Sequence, residues 1–443
     1  MQKVAPAINQ ADRGGRLWLA FISAVISLVA SFVTTAAPIP LYNIYRAEDG
    51  FTNAGISVAV VCNSLGTIAS LVVFGRLSNH FGRRIIAIVS FGLLLCGCVL
   101  LLNVHHIATL VGARLLMGVG TGLASSTLTS YIVDAAPKKP EWLASVASSQ
   151  GPMLGLAVGA IASGALVQFG PSPRELIYLV CVGFLLVSAV LIASPETAAP
   201  TPGAWRSLAP RVHVPARVSN LLPVAAAVFL ATWATGGFYQ AFMPGLVEDQ
   251  LRTRSPLILG LVFAAYMGPS VLGAPIGGRF TPAAAQRIGM ITFLAGMIGM
   301  IMAINAGALW FFIVSTIFAG AGQGIAISAA TRGLLYGSAV ADRAPIFSAI
   351  YLICYSGTAF PSLIAGQLSH ILSLQEIAIG YGAFAVVATL FTLLGARNPS
   401  TDVRAGSVKR VAASVGEGAA VVAQIHQALA AQVSSSQRED TAQ

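Results

Sequence analysis

The chain has 443 residues, 56% of them hydrophobic and only 9% charged, with a mean hydropathy of +0.80. A soluble domain needs a far larger charged surface. Apolar runs long enough for a bilayer core of about 30 Å, roughly 20 residues each, recur from Leu17 nearly to Arg397. They are continuously apolar, which excludes a β-barrel with its alternating strands of about 10 residues; the chain reads as an all-α, multi-pass membrane protein.

Twelve spans are predicted, starting near Leu17, Ala54, Ile85, Ile107, Trp142, Leu176, Asn220, Pro256, Gln286, Leu309, Pro345 and Gln375. The first follows Lys3, Arg13 and Arg16 but is too long for a signal peptide and lacks a small-residue cleavage site, so it is expected to remain as a span. The five cysteines, Cys62, Cys96, Cys98, Cys181 and Cys354, all fall inside spans and give neither a disulfide framework nor a zinc spacing. A break rich in Pro and Arg follows the sixth span, at 194–220. The expected organisation is an amino-terminal segment 1–16, a six-helix half 17–195, a central loop 196–219, a second six-helix half 220–397 and a tail 398–443.

Placing the amino terminus in the cytoplasm puts only Arg46, Arg174, Arg252 and Arg254 of the 25 Lys and Arg outside, with Arg114 inside a span and all others on the cytoplasmic side. This is the bias expected of a multi-pass protein. The charge of +10 therefore reads as a topology signal, with attraction to anionic lipid as a by-product. Basic residues scattered over short loops make no nucleic-acid surface. A bacterial inner or plasma membrane is expected, with both termini cytoplasmic.

The two halves share landmarks. Pro40 in "PIPLY" corresponds to Pro244 in "FMPGL", Gly75-Arg76 to Gly278-Arg279, "GVGTG" at 118–122 to "GAGQG" at 320–324, and Gly151 to Gly357. The near-constant offset of about 200 residues argues for a duplicated six-helix unit.

Between the second and third spans stands "GRLSNHFGRR", residues 75–84. Gly75 is expected to let the second helix approach a neighbour, Gly82 to permit a left-handed turn, and Arg83 and Arg84 to hold the loop in the cytoplasm. Arg114 is the ionisable residue placed well inside a span, where arginine costs about 2.5 to 3.5 kcal/mol on insertion scales. It would neutralise an anionic substrate group, take part in proton-coupled switching, or else snorkel outward or bond free carbonyls. All 15 acidic residues lie in loops, at span ends or in the tail, so no mid-span carboxylate offers a proton relay; Asp134, or Glu48 with Asp49, remain as candidates. In the fifth span Ala147, Gly151, Gly155, Gly159 and Ser163 form a stripe of small residues, and Pro152 favours a bend. "GVGTG" lies inside a span and lacks the nucleotide-binding pattern, and no Walker loop occurs.

Taken in order, "GRLSNHFGRR", "RLLMGVGTG" at 114–122 and "GPMLG" at 151–155 resemble the motifs of the major facilitator superfamily, of the bacterial drug-efflux type with twelve transmembrane helices. The resemblance implies two six-helix halves related by an axis along the membrane normal. It implies that the basic turn is a cytoplasmic latch holding the outward-facing state. The aspartate expected in that motif is Asn79 here, so the latch is either weaker or draws its missing charge from Asp134 onto Arg83 or Arg84. The resemblance also sets the small-residue stripe of the fifth helix, with Gly151, Pro152 and Gly155, at the interface between halves.

The resemblance further implies a cavity lined by the first, fourth, seventh and tenth helices, which here would present Thr34, Thr35, Ser125, Ser126, Thr129, Thr232, Trp233, Tyr239, Gln240 and Gln323, joined by Asn63, Gln150 and Tyr355. Such a lining suits an uncharged, amphipathic or weakly anionic molecule. The expected function is alternating-access, proton-coupled efflux of amphipathic small organic compounds such as drugs. The alternatives are a carrier or uniporter of sugars or weakly anionic metabolites and a non-transporting membrane sensor. No enzyme activity, cofactor, metal or nucleic acid is expected; the partners are a small-molecule substrate, the lipid bilayer and protons as coupling ion, and the chain is expected to be a monomer.

Overall fold

The computed structural model describes residues 10–137, 142–192, 218–337 and 340–399. Most of the expected central loop 196–219 and of the tail 398–443, and the side chains of the 1–16 segment, lie outside the described residues. Among the described residues twelve main helices follow one another: α1 (Gln10–Ala36), α2 (Asn53–Ala69), α3 (Arg83–Leu101), α4 (Ile107–Ala135), α5 (Trp142–Phe169), α6 (Leu176–Leu191), α7 (Leu222–Ala241), α8 (Pro256–Met267), α9 (Pro282–Ala306), α10 (Leu309–Leu335), α11 (Val340–Leu368) and α12 (Leu374–Gly395). With their continuations, 11 are long and apolar enough to cross a membrane, while α6 is a shorter apolar helix of 16 residues. At 1.5 Å per residue α6 spans about 24 Å, and a turn at 172–175 feeds into it.

The first helix of each half is broken at the same place. Pro38 and Pro40 end α1 in a short 3-10 turn, Ile39–Leu41, before a helix at Tyr42–Asp49. Likewise α7 stops at Ala241 ahead of Met243–Leu251, with Pro244 in its first turn. A proline has no N–H to give to the preceding turn, so although Ala37 N–H still reaches Val33 and Thr34 and Phe242 N–H reaches Phe238, other carbonyls at the ends of α1 and α7 lose a helical donor and need other partners.

The second helix of each half is distorted at equivalent positions. α2 passes into a π turn, Ser70–Phe74, and α8 into a 3-10 turn, Gly268–Leu272. Both sit where a glycine of the neighbouring helix comes against the backbone. A Cβ on Gly118 of α4 would collide with the carbonyl of Asn63, and one on Gly320 of α10 with the carbonyl of Tyr266. One turn on, Gly122 faces Ser70 and Gly324 faces Ser270. The two glycine motifs are therefore seams that set α4 against α2 and α10 against α8, backbone to backbone. In lipid, where apolar side chains gain nothing by leaving solvent, such close approach is what holds helices together.

Three expectations are corrected. The stripe Gly151, Gly155, Gly159 and Ser163 does not lie between the halves. It packs on α1: a Cβ on Gly151 would touch Leu28, one on Gly155 would crowd Val29 and Phe32, and one on Gly159 would lie 2.5 Å from the carbonyl of Val33. The Ser163 hydroxyl continues the line by donating to Ala37 O at 2.6 Å. It is another face of α5 that meets the second half, where Ala160 and Gly164 approach Gly260 and Pro256 at α8. Across the bundle α2 meets α11, with Gly366 over Ser57. Pro152 lies within α5 without ending it.

Gly75 does not admit a neighbouring helix. A Cβ there would lie 2.5 Å from the carbonyl of Leu71, in the turn that ends its own helix. Gly82 adopts φ 92°, ψ 152°, an extended positive-φ conformation essentially confined to glycine rather than a left-handed turn.

Gly159→Ala is expected to lower stability by about 1–3 kcal/mol, the usual cost of overpacking. Gly92→Ala, where a Cβ meets nothing within 4 Å, is expected to leave the unfolding midpoint unchanged. Thermal unfolding of the two variants in detergent micelles compares them directly.

Candidate functional site

Where α1, α4 and α7 converge, the broken end of α1 meets Arg114. The side chain is completely enclosed, at 0% exposure. It does not snorkel outward. Its Nη1 donates to the carbonyl of Thr35 at 2.7 Å, in the last turn of α1, and its Nη2 reaches Gln240 Oε1 of α7 at 3.5 Å. The hydroxyls of Thr35 and Thr121 lie 2.8 Å apart beside it. Among the described residues, Arg114 Nε has no hydrogen-bond partner, and neither has the buried hydroxyl of Tyr42. No carboxylate among the described residues pairs with Arg114.

A second group forms between α7 and α11. The rings of Trp233 and Tyr355 meet edge to face, with centroids 4.8 Å apart, and Thr358 donates to the Trp233 carbonyl at 3.0 Å. Both aromatic side chains are half-buried.

The remaining expected lining residues are dispersed. Tyr239 turns into the second half, stacked on Tyr266 at 4.4 Å with its hydroxyl against Thr316 at 2.8 Å and Met300 Sδ at 3.3 Å. Gln323 donates to the Tyr266 carbonyl at 3.2 Å and so ties α10 to α8. Thr34 and Ser126 bond back to carbonyls of their own helices, and Gln150 reaches only its neighbour Ser149. Asn63 is buried under Gly118 with its Oδ1 unpartnered. Thus Thr35, Arg114 and Gln240 come together, Trp233 and Tyr355 come together, and the others do not join them.

The bundle has an acidic end, carrying Glu48, Asp49, Glu248 and Asp249, and a basic end, carrying Arg76, Arg83 and Arg84. At the acidic end the halves are bolted. Asn43 Nδ2 donates to the Pro244 carbonyl at 2.8 Å, and Arg46 pairs with Asp249 at 3.8 Å over Gly245, where a Cβ would lie 2.5 Å from Arg46 Nη1. Gln168 Oε1 accepts from the Ser255 hydroxyl and, at 3.3 Å, from Leu257 N–H. Within the first half, Arg174 binds Glu48 at 2.7 Å, Asp49 at 2.6 Å and the Val104 carbonyl, while His105 lies 3.1 Å from Asp49. Partial burial alone would lower the pKa of Arg174, but the bonds to Asp49 and Glu48 outweigh it and hold the guanidinium above its ordinary value. Glu48 and Asp49 are thus committed to a surface clamp.

At the basic end the partners of Arg83 include Asp134 Oδ2 at 3.1 Å, the Ser78 hydroxyl at 2.7 Å and Asn79 Oδ1 at 2.5 Å. Asp134 therefore brings its charge to Arg83, next to the position where Asn79 replaces an acid. Arg84 is exposed on the turn.

Residues 19–253 match the family model described as Major Facilitator Superfamily. The chain belongs to that superfamily. It is 27% identical over 276 residues to the MFS-type efflux pump LUC4 of Fusarium sp, a match covering 59% of this chain and 46% of that protein. It is 33% identical over 164 residues to the uncharacterized MFS-type transporter EfpA of Mycobacterium tuberculosis, covering 34% of this chain and 30% of that one. The chain thus spans less than half the length of either relative. Among solved structures it resembles a variant of the nucleoside transporter NupG, with a TM-score of 0.68 at 9% identity over 85% of this chain and 100% of the other. It also resembles the D-xylose-proton symporter, with a TM-score of 0.66 at 15% identity over 87% of this chain and 98% of the other. Identities this low speak for the fold, and this major facilitator shares it.

Sequence reasoning passed over Tyr42, Asn43, Thr121 and Gln168. The prolines at 38 and 40 were a signal for the first two, because residues just past a broken helix face the end it leaves open. Gln168 and Thr121 carried no local signal.

Replacing both Asn43 and Arg46 by Ala is expected to loosen the acidic end. With Gln240→Cys in a background free of other cysteines, labelling by an impermeant maleimide added at that end should accelerate roughly five- to tenfold, as expected for about one hydrogen bond.

Proposed function

We propose that this chain is a secondary transporter working by alternating access, with the acidic end outside and the basic end in the cytoplasm of a bacterial inner or plasma membrane. The observation that carries the reading is the contrast at the seam. The halves meet along backbone-smooth contacts, α5 on α8 and α2 on α11, yet at the acidic end a few hydrogen bonds and one ion pair bolt them together. Bonds of that kind contribute about 1 kcal/mol each, which a rocking motion can exchange for others. The chain rests here with its outer end shut. Arg83, Arg84, Asn79, Asp134, Gly75 and Gly82 form the opposing latch at the inner end.

The transported compounds are amphipathic small organic molecules, exported in exchange for protons. Supporting export, the relative LUC4 is named an efflux pump. Supporting an amphipathic cargo, half-buried Trp233 and Tyr355 stand beside polar groups. Supporting proton coupling, one fold neighbour is a xylose-proton symporter and a relative over 127 residues is the arabinose-proton symporter of Bacillus subtilis. Those same names favour a second reading, import of a sugar-like solute.

Proteoliposomes or inverted vesicles with an imposed pH gradient, offered a panel of lipophilic dyes and antibiotics, test the proposal. Gradient-driven movement is expected for the intact chain, reduced at least tenfold in Arg114→Ala because removing a partner from a buried hydrogen-bonded charge network costs roughly 2–5 kcal/mol. Movement of pentoses or nucleosides but of no dye would replace export with the second reading. Failure of every compound to move under any gradient would sink both.

A further inference from the structure

Arg46, Arg83, Arg174 and Arg254 each meet a carboxylate. Where α9 begins and α12 ends, at the basic end by the alternation of helices along the chain, two other arginines do not. Arg287, on the second turn of α9, donates through Nη2 to the carbonyl of Ala396 at 2.8 Å, which sets it beside the neighbouring residue Arg397. Both arginines are exposed, and among the described residues no carboxylate pairs with either. Exposed Arg279 stands two residues before Thr281, the N-cap of α9, and a helix start adds about half a positive elementary charge. Positive charge gathered here is answered by nothing described in the protein.

At the same corner a narrow cleft opens between α7, α9, α10 and α12, and Gln286 and Arg397 both line it. Gln286 is only 6% exposed, and its Oε1 has no hydrogen-bond partner. Buried polar atoms are almost always satisfied, so this acceptor calls for a donor. The cleft has room for about one water-sized group, which admits a hydroxyl and excludes a ring. Along the two helices that carry the arginines the surface turns apolar, with Ile288 and Ile291 of α9 and Leu390, Phe391 and Leu394 of α12 all exposed. In a spanning bundle such faces meet acyl chains. Guanidinium groups at the end of acyl-facing helices match a phospholipid, with its chains along the helices and its phosphate on the arginines.

We propose that Arg287, Arg397 and Gln286 form a site for an anionic phospholipid whose head group carries a hydroxyl, as in phosphatidylglycerol. The phosphodiester, with its one negative charge, lies on Arg287 and Arg397. The head-group hydroxyl enters the cleft and donates to Gln286 Oε1. Phosphatidylcholine cancels its own charge and has no hydrogen to donate, and phosphatidic acid brings charge without the hydroxyl. The site is built by the second half alone, away from Arg114 and from the seam between halves, so it is independent of what the chain carries.

Thermal unfolding of the purified full chain in detergent micelles tests the site, titrated with phosphatidylglycerol, phosphatidic acid, phosphatidylcholine and the soluble head group glycerophosphoglycerol. Phosphatidylglycerol is expected to raise the melting temperature saturably, and phosphatidylcholine to leave it unchanged. Arg397→Gln, at an exposed position, should weaken the apparent phosphatidylglycerol affinity roughly tenfold, as for a hydrogen bond to a charged group. Arg252→Gln, which removes the same charge from an exposed position at the acidic end, should leave it unchanged. Gln286→Leu should weaken phosphatidylglycerol roughly fivefold, as for one neutral hydrogen bond, and spare phosphatidic acid. Unchanged affinity in Arg397→Gln, or an equal loss in Arg252→Gln, overturns the site. Glycerophosphoglycerol acting at the same concentration as the lipid overturns the lipid as its occupant, in favour of a free phosphodiester. Equal effects of Gln286→Leu on both lipids, or none on either, overturn the hydroxyl contact.

Discussion

The contact on which the rest of the structure depends is a glycine pressed against a neighbouring backbone. Inside a bilayer, helices gain little from burying leucine against leucine, since lipid is equally apolar. What fixes neighbours is close approach, where dispersion and weak backbone contacts accumulate. Gly118 on Asn63 and Gly320 on Tyr266 set α4 on α2 and α10 on α8, and Gly155 and Gly159 set α5 on α1. These contacts lie within halves and make each half a stiff body. Between halves the same device recurs at Gly164, Gly260 and Gly366.

From that rigidity follows the placement of the charged and polar groups. Because α1 is locked along α5, its broken end is held at one point, and the carbonyl of Thr35 is presented to Arg114 from α4. The matching break in α7 brings Gln240 to the same spot from the other half. Two proline-terminated helices thus supply the acceptors that make a buried arginine tolerable, while leaving part of its hydrogen-bonding capacity open. The arrangement differs from a structural salt bridge, in which a carboxylate would cancel the charge. Here the cancellation is incomplete, and the group sits where the two halves meet, bonded to Thr35 of one and Gln240 of the other.

At the acidic end, bonds cross between halves, and Arg174 organises Glu48 and Asp49 behind them. At the basic end, the bonds of Arg83 to Ser78, Asn79 and Asp134 stay within the first half and shape a turn around Gly82. Beside Asn79, Arg83 takes its carboxylate from Asp134 of α4 and not from the turn itself. That couples the turn to the helix that carries Arg114 some five turns away, given about 3.6 residues per turn.

The sequence by itself determined the class of the molecule, the spans, the duplication and the singular position of Arg114. Each of these follows from composition and spacing along the chain: the length of an apolar run is set by bilayer thickness, and a buried charge stands out wherever it is. The starts of the spans were legible to within a few residues, the first at Leu17 as expected, on a helix that itself begins at Gln10. Direction around each helix axis was decided only in the tertiary structure. A helix that is apolar on all sides gives no periodic signal of which face turns inward, so the small stripe of α5 could not be assigned to α1 rather than to α8, nor Tyr239 to Thr316 rather than to the centre. Thr35 met Arg114 for the same reason: residues 79 apart in the chain come together only through the way α1 and α4 are rotated in the packed bundle.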